Sequence, residues 1–176
     1  MKNLVFHLLL LLSFNLFGQK KSSEIISNYG IIWDIEGVVK PSGDQPVKII
    51  IDLKTKIDSP EKINRGLDNV ARMLNLHAAG GISIENLQFA VAVHGGATPV
   101  ILNNEGYSEK FGIPNPNIDL LQKLEDVGVE VYVCSQSMIT RKYNLDQVDK
   151  TVEKALSMLT IVTDKMNKGH NLMVFQ

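Results

Sequence analysis

The chain has 176 residues, of which 44% are hydrophobic and 21% are charged, a size and composition typical of one globular domain with a substantial core. Its 18 basic and 19 acidic residues give a net charge of −1 at pH 7. Because phosphate binding needs clustered lysine and arginine, this balance argues against nucleic acid as a partner.

The first 18 residues have the pattern of a secretory signal peptide. Lys2 precedes an apolar run over residues 4–12, and further apolar residues lead to Gly18, a small residue before Gln19. The run is short for a membrane span, and an uncleaved membrane anchor is the alternative. We therefore expect cleavage near Gly18, export to the periplasm or the medium, and no membrane contact of the mature chain.

Residues 19–46 are predicted to be an N-terminal extension. They show no sustained hydrophobic period and contain Gly30, Gly37, Pro41, Gly43 and Pro46. Within this extension we expect short extended pieces over residues 31–33 and 38–39 that pack against the domain edge. The domain itself is predicted to span residues 47–176.

From residue 47 onward, hydrophobic patterning predicts strands that alternate with helices. Apolar runs predict strands over residues 47–53, 87–93, 129–134 and 171–175. Helical spacing and capping signals predict helices over residues 60–79, 118–127 and 145–166, a helical turn over 98–102, and loops over 103–117 and 138–144. This alternation indicates a three-layer α/β fold with a mainly parallel sheet of four to five strands.

Cys134 is the only cysteine, and it ends the strand predicted over residues 129–134. In open α/β sheets, ligands collect at the carboxyl ends of the strands. An exported protein with one cysteine cannot close an internal disulfide. Cys134 is therefore a buried apolar filler, a reactive thiol or half of an intermolecular bond.

His94 follows the strand predicted over residues 87–93, so it is expected at the same sheet edge as Cys134. An imidazolium beside a thiol lowers its pKa and stabilises the nucleophilic thiolate. The alternative for His94 is a structural hydrogen bond at a strand end. Backbone N–H groups of two nearby turns could form an anion nest, at Gly95, Gly96, Ser135, Gln136 and Ser137.

Other polar residues give weaker indications of a binding, metal or catalytic site. Arg141 could hold an anionic substrate, although a solvated loop residue is the alternative. His77 and His170 have no spacing to acidic or sulfur ligands that resembles a metal site. No glycine-rich nucleotide loop and no Ser/His/Asp order is evident. We predict neither a metal nor a cofactor.

Three segments resemble the DsrE/DsrF-like family. They are LDNVARMLN at residues 67–75, VAVHGGA at 91–97, and NPNIDLLQKLEDVGVEVYVCSQS at 115–137, and the resemblance covers roughly residues 47–175. The last segment is the most specific, because a helix, a Gly-Val turn, a valine-rich strand and the cysteine turn occur in the family's order. Two positions depart from the family: Ser135 stands where many relatives have glycine, and His170 where a tyrosine is common.

The resemblance implies a small α/β domain that forms a homo-oligomer, often a trimer or hexamer. It also implies sulfur relay, in which a cysteine matching Cys134 carries sulfane sulfur as a persulfide between a donor and an acceptor protein. Two alternatives stay open. One is a non-catalytic oligomeric module that binds a small anion or other ligand at the same edge. The other is a purely structural subunit.

Overall fold

The structure, a computed structural model, describes residues 24–43 and 45–176. Within these residues five parallel strands form one sheet in the order β4-β3-β2-β1-β5. The strands are β1 (Val47–Leu53), β2 (Leu87–Val93), β3 (Glu130–Cys134), β4 (Val152–Ala155) and β5 (Asn171–Phe175). The predicted α/β fold with a parallel sheet is confirmed.

Five α-helices connect and cover the strands. They are α1 (Arg65–Ala79), α2 (Asn104–Phe111), α3 (Ile118–Asp126), α4 (Ser135–Thr140) and α5 (Met158–Asn167). Short 3₁₀ helices occupy Ile84–Asn86, Gly95–Ile101 and Leu145–Gln147.

The two faces of the sheet are covered unequally. Alternate residues of β1 point to opposite faces: Ile49 and Ile51 join the main core with α1 and α3, whereas Ile50 joins a smaller cluster. That smaller cluster contains Val162 of α5, and α5 contacts all five strands. Among the described residues, the second face of the sheet is therefore covered by the ten-residue helix α5.

The first helix begins later than predicted. Ser59 and Pro60 resemble a helix start, but α1 begins at Arg65 because Asn64 caps it, accepting a hydrogen bond from the N–H of Leu67. The buried Asn64 amide also donates to the carbonyl of Thr55. These two bonds fix the start of α1 against the end of β1.

The predicted loop over residues 103–117 contains a helix. Asn103 caps α2 by accepting a hydrogen bond from the N–H of Gly106, and Gly112 ends it with a φ of 77°. The polar composition that indicated a loop comes from the exposed face and the caps of this helix, while Tyr107 is buried.

The long helix predicted over residues 145–166 is wrong. Residues 152–155 form the edge strand β4, with Val152 paired with Val131 of β3. Ser157 then caps α5, and its reciprocal bonds with Thr160 form a capping box. Apolar residues at helical spacing therefore belong to two elements, because pairing with β3 outweighs local helical periodicity.

The segment before β1 packs along α1. The buried side chain of Asn75 accepts a hydrogen bond from the N–H of Ile26 and donates to the carbonyls of Ile26, Tyr29 and Gly30. Gly30 has a φ of 58°, and a Cβ there would lie 2.1 Å from the backbone nitrogen of Arg72. The segment forms no named strand among the described residues.

The signal peptide predicted at residues 1–18 lies outside the described residues. Within residues 24–43 and 45–176, no helix is both long and apolar enough to cross a bilayer.

Candidate functional site

Three side chains that can take part in proton transfer or nucleophilic chemistry lie at the carboxyl edge of the sheet. Val93 of β2 pairs with Val133 of β3, so His94 and Cys134 are the next residues on neighbouring strands. Asp52 lies near the end of β1, on the other side of β2. The strand register thus brings Asp52, His94 and Cys134 to one edge.

Cys134 lies where two helices begin. Helix α4 starts at the next residue, Ser135, and the sulfur lies 3.9 Å from Oγ of Ser157, the N-cap of α5. The Cys134 side chain is buried, with 4% of the residue exposed. The predicted loop over residues 138–144 is wrong in its first part, because α4 continues to Thr140.

The surroundings of Cys134 favour its thiolate. Burial raises the pKa of the thiol, but hydrogen bonds from the Ser137 hydroxyl, from the backbone N–H groups of Met158 and Ser137, and from Ser157 together outweigh burial. They leave the pKa below its ordinary value. Ser157 Oγ also accepts a hydrogen bond from the N–H of Leu159, which fixes its orientation.

The imidazole of His94 is held by Asp52. Its Nε2 lies 2.5 Å from Oδ1 of Asp52, and the two side chains are 20% and 15% exposed. When Nε2–H donates to the Asp52 carboxylate and the ring carries one proton, Nδ1 is its acceptor nitrogen. Nδ1 has no hydrogen-bond partner among the described residues. The bonds that lower the Cys134 pKa come from α4 and α5, on the far side from Asp52.

Of the predicted anion nest, two N–H groups are already bonded, that of Ser137 to the Cys134 sulfur and that of Gly95 to Ser137. The N–H of Gly95 lies 3.4 Å from Oγ of Ser137 and donates to it. Gly96 lies against Lys56, whose Cγ is 2.4 Å from where a Gly96 Cβ would sit. The glycine turn is therefore tied to α4 on one side and to the segment after β1 on the other.

The remaining predicted residues lie at different distances from the sulfur. Ser135 and Gln136 form the first turn of α4, where Gln136 is exposed. Arg141 follows α4 at its opposite end and is exposed, about 10 Å along the helix axis from Cys134. The structure therefore does not bring Arg141 to the thiol.

The described residues contain no cluster of three or more histidine, cysteine, aspartate or glutamate side chains able to hold a metal ion. His77 Nδ1 bonds instead to the carbonyl of Met73, and His170 Nδ1 lies 3.0 Å from the carbonyl of Lys165.

Sequence reasoning missed Asp52, Ser157 and the N–H group of Met158. Asp52 is a polar residue inside an apolar strand, which could have singled it out. Ser157 with Thr160 has the spacing of a helix cap, but the long helix predicted there concealed it.

The sequence model of the DsrE/DsrF-like family matches residues 47–175. The chain belongs to the DsrE/DsrF-like family. Two further similarities extend this finding. A solved structure of a protein of unknown function from Methanobacterium thermoautotrophicum aligns with a TM-score of 0.50 at 16% identity, covering 75% of this chain and 100% of that one. It supports the fold.

The chain is also 27% identical over 151 residues to Ferredoxin--NADP reductase 1 of Oceanobacillus iheyensis. The match covers 82% of this chain and 41% of the reductase, so the chain spans less than half of that relative.

Proposed function

We propose that this member of the DsrE/DsrF-like family carries sulfane sulfur as a persulfide on Cys134. The observation that supports the proposal is the lowered pKa of a single thiol at the joint N-termini of α4 and α5. A thiolate is the form that attacks a sulfane sulfur, and the same donors stabilise the terminal sulfur anion of a persulfide.

The step is a thiol exchange. The Cys134 thiolate attacks the outer sulfur of a protonated persulfide donor, a new S–S bond forms, the donor's S–S bond breaks, and the donor leaves as a thiolate. His94 exchanges a proton with the donor through its free Nδ1, while Asp52 holds the ring. Passing the sulfur to an acceptor thiolate repeats the exchange in reverse, so a relay needs two partners.

Alkylation rate against pH and intact mass after incubation with polysulfide test this proposal. We expect a thiol more acidic than free cysteine and a mass gain of one or more sulfur atoms. The Cys134→Ser protein is the control and should gain nothing. A thiol that alkylates like free cysteine, with no mass gain, would contradict the proposal and favour a binding module in which Cys134 only lines the edge.

We also propose that the protein works as an exported homo-oligomer. The edge strand β5 leaves Leu172, Met173 and Val174 about 40% exposed, an apolar surface that a second copy could cover. For export, N-terminal sequencing of the mature chain should begin near Gln19. A chain recovered intact from the cytoplasm would argue against it.

A further inference from the structure

A pocket with a surplus of positive charge lies at the same sheet edge, past the end of β1. Its volume is about 440 Å³, and its lining residues are Lys54, Thr55, Lys56, Asp58, Arg65 and Gln176. We call it the basic pocket. Sequence analysis did not single out any of these residues as a site.

The positive charges of the basic pocket are only partly neutralised. Arg65 Nε lies 2.9 Å from Oδ2 of Asp58, and this pair is exposed. The ammonium groups of Lys54 and Lys56 have no salt-bridge or hydrogen-bond partner in residues 24–43 and 45–176. The nearby carboxylate of Asp52 is already bonded to His94. The pocket therefore has two lysine charges available for an anion.

One buried hydroxyl beside the basic pocket also lacks a hydrogen-bond partner within the described ranges. Thr55 is 96% buried, yet its Oγ1 has no hydrogen-bond partner in the part of the chain that the structure describes. This oxygen lies 2.5 Å from where a Cβ on Gly66 would sit, in the first turn of α1. The side chain of the N-cap Asn64 accepts from the N–H of Leu67 and its carbonyl from the N–H of Asp68, which leaves the N–H groups of Arg65 and Gly66 at the start of this 15-residue helix without a partner among the described residues. A helix N-terminus attracts anions.

The glycine turn lies between the basic pocket and the thiol. Lys54 and Lys56 flank Gly95 and Gly96, and the N–H of Gly95 donates to Ser137, which also bonds Cys134. β2 separates β1 from β3, so the ends of β1 and β3 are two strand spacings apart, about 10 Å. One small oxyanion cannot contact both places, but an elongated ligand could.

We propose that the basic pocket binds the carboxylate end of a peptide-sized persulfide whose outer sulfur reaches Cys134. This inference rests on the sulfur-carrier function proposed above and names its donor class. An extended tripeptide spans about 10 Å, which equals the spacing between the ends of β1 and β3. The exchange is the one already described: the outer sulfur moves to Cys134 and the peptide leaves as its thiolate.

Binding is tested apart from sulfur transfer by using the Cys134→Ser protein. Reduced glutathione is the probe, titrated by calorimetry, and glutathione dimethyl ester, which has no carboxylates, is the matched ligand. We expect glutathione to bind and the ester to bind roughly tenfold more weakly or not at all. Equal binding of the two, or no binding of glutathione, would overturn the inference.

Charge variants locate the binding. The double variant Lys54→Gln/Lys56→Gln should weaken glutathione binding roughly tenfold, whereas Lys123→Gln/Lys168→Gln, which removes two surface lysines elsewhere, should not. Thr55→Val should also weaken binding without lowering the unfolding temperature, because the hydroxyl has no partner to lose. If Lys54→Gln/Lys56→Gln and Thr55→Val bind glutathione as tightly as the control variant does, glutathione binds elsewhere and the assignment is refuted.

The two proposals can fail separately. If Cys134 gains sulfur from inorganic polysulfide but Cys134→Ser does not bind glutathione, the sulfur carrier stands and the donor class is wrong. If glutathione binds in the basic pocket and Cys134 never gains sulfur from any persulfide, the anion site stands and the carrier function fails.

Discussion

Ser137 connects two strand ends through one hydroxyl. It accepts a hydrogen bond from the N–H of Gly95, after β2, and donates to the sulfur of Cys134, at the end of β3. Its own N–H also bonds the sulfur. Because that N–H belongs to the backbone, a substitution at Ser137 removes only the hydroxyl bond.

Replacing Ser137 with alanine should therefore raise the pKa of Cys134. The hydroxyl bond stabilises the thiolate, so its loss leaves burial less opposed, and the pH at which alkylation reaches half its maximal rate moves upward. Near neutral pH the alkylation rate should fall severalfold. Thr140→Ala removes a hydroxyl from the same helix that bonds only the carbonyl of Gln136, and it is the control. An unchanged pH profile in Ser137→Ala would mean that the hydroxyl does not act on the sulfur.

The Asp52→Asn variant distinguishes proton transfer by His94 from the acidity of the Cys134 thiol. An asparagine can donate to Nε2, which would move the ring proton to Nδ1 and remove the acceptor nitrogen that faces no partner. We expect sulfur loading from a persulfide to slow at least tenfold while the alkylation profile of Cys134 stays in place. Measuring both on one preparation makes the distinction, and parallel changes in the two would show that Asp52 acts only on structure.

The sequence predicted the positions of Cys134 and His94 but not the bond between His94 and Asp52. Cys134 and His94 each follow an apolar run of β-branched residues, and parallel pairing alone brings such ends together. The bond between Asp52 and His94 joins residues 42 positions apart, and it depends on which strands are neighbours. Strand order is a property of tertiary packing, so no local pattern contains it.

At the scale of elements, one buried asparagine holds the segment before β1 on α1. The Asn75 amide bonds backbone groups of Ile26, Tyr29 and Gly30, and its side chain is fully buried. If Asn75 were removed and the segment kept its position, these backbone groups would have no hydrogen-bond partner.

Asn75→Ala should release this segment and lower the free energy of unfolding by about 3 kcal/mol, since several buried backbone groups lose their partner. Trp33 is the only tryptophan, lies within the segment and is already 52% exposed, so release of the segment should shift its fluorescence modestly to the red. Asn69→Ala on the same helix removes only an exposed bond to Arg72 and serves as the control. Wild-type emission and stability in Asn75→Ala would contradict this role.

Secondary structure was predictable wherever an element is buried on both sides. The three central strands and α3 have continuous or periodic apolar runs, because neither solvent nor an edge interrupts their packing. The edge strand β5 also has an apolar run and was predicted, whereas β4 and α4 have no such signal. β4 has only four residues, two of them exposed, and α4 has six, so their existence depends on pairing with β3 and on the caps that follow it.

At the scale of the whole molecule, β5 presents an apolar edge that no other described residue pairs with. Val174 and its neighbours are paired with β1 on one side and are exposed on the other. Lys or proline on an edge strand prevents pairing with a further chain, and β5 contains neither.

Val174→Lys should lower the molar mass in solution if a second copy covers β5. Light scattering during size exclusion measures it, and the wild-type protein should exceed the mass of one chain. Leu159 of α5 is an even more exposed apolar residue, at 70% against 42% for Val174, and Leu159→Lys should leave the mass unchanged. A monomeric wild-type protein would refute the proposed homo-oligomer, and an unchanged mass in Val174→Lys would place the interface away from β5.

The sheet order has a consequence for the order of synthesis. β1 to β4 are laid down as successive neighbours, and only then does the chain cross the sheet through α5 to place β5 beside β1. The Ser157 and Met158 groups that acidify Cys134 belong to this last crossing. A nascent chain thus lacks two of the four hydrogen bonds to the Cys134 sulfur until its final twenty residues have docked. The full acidity of the thiol becomes a mark of completed folding.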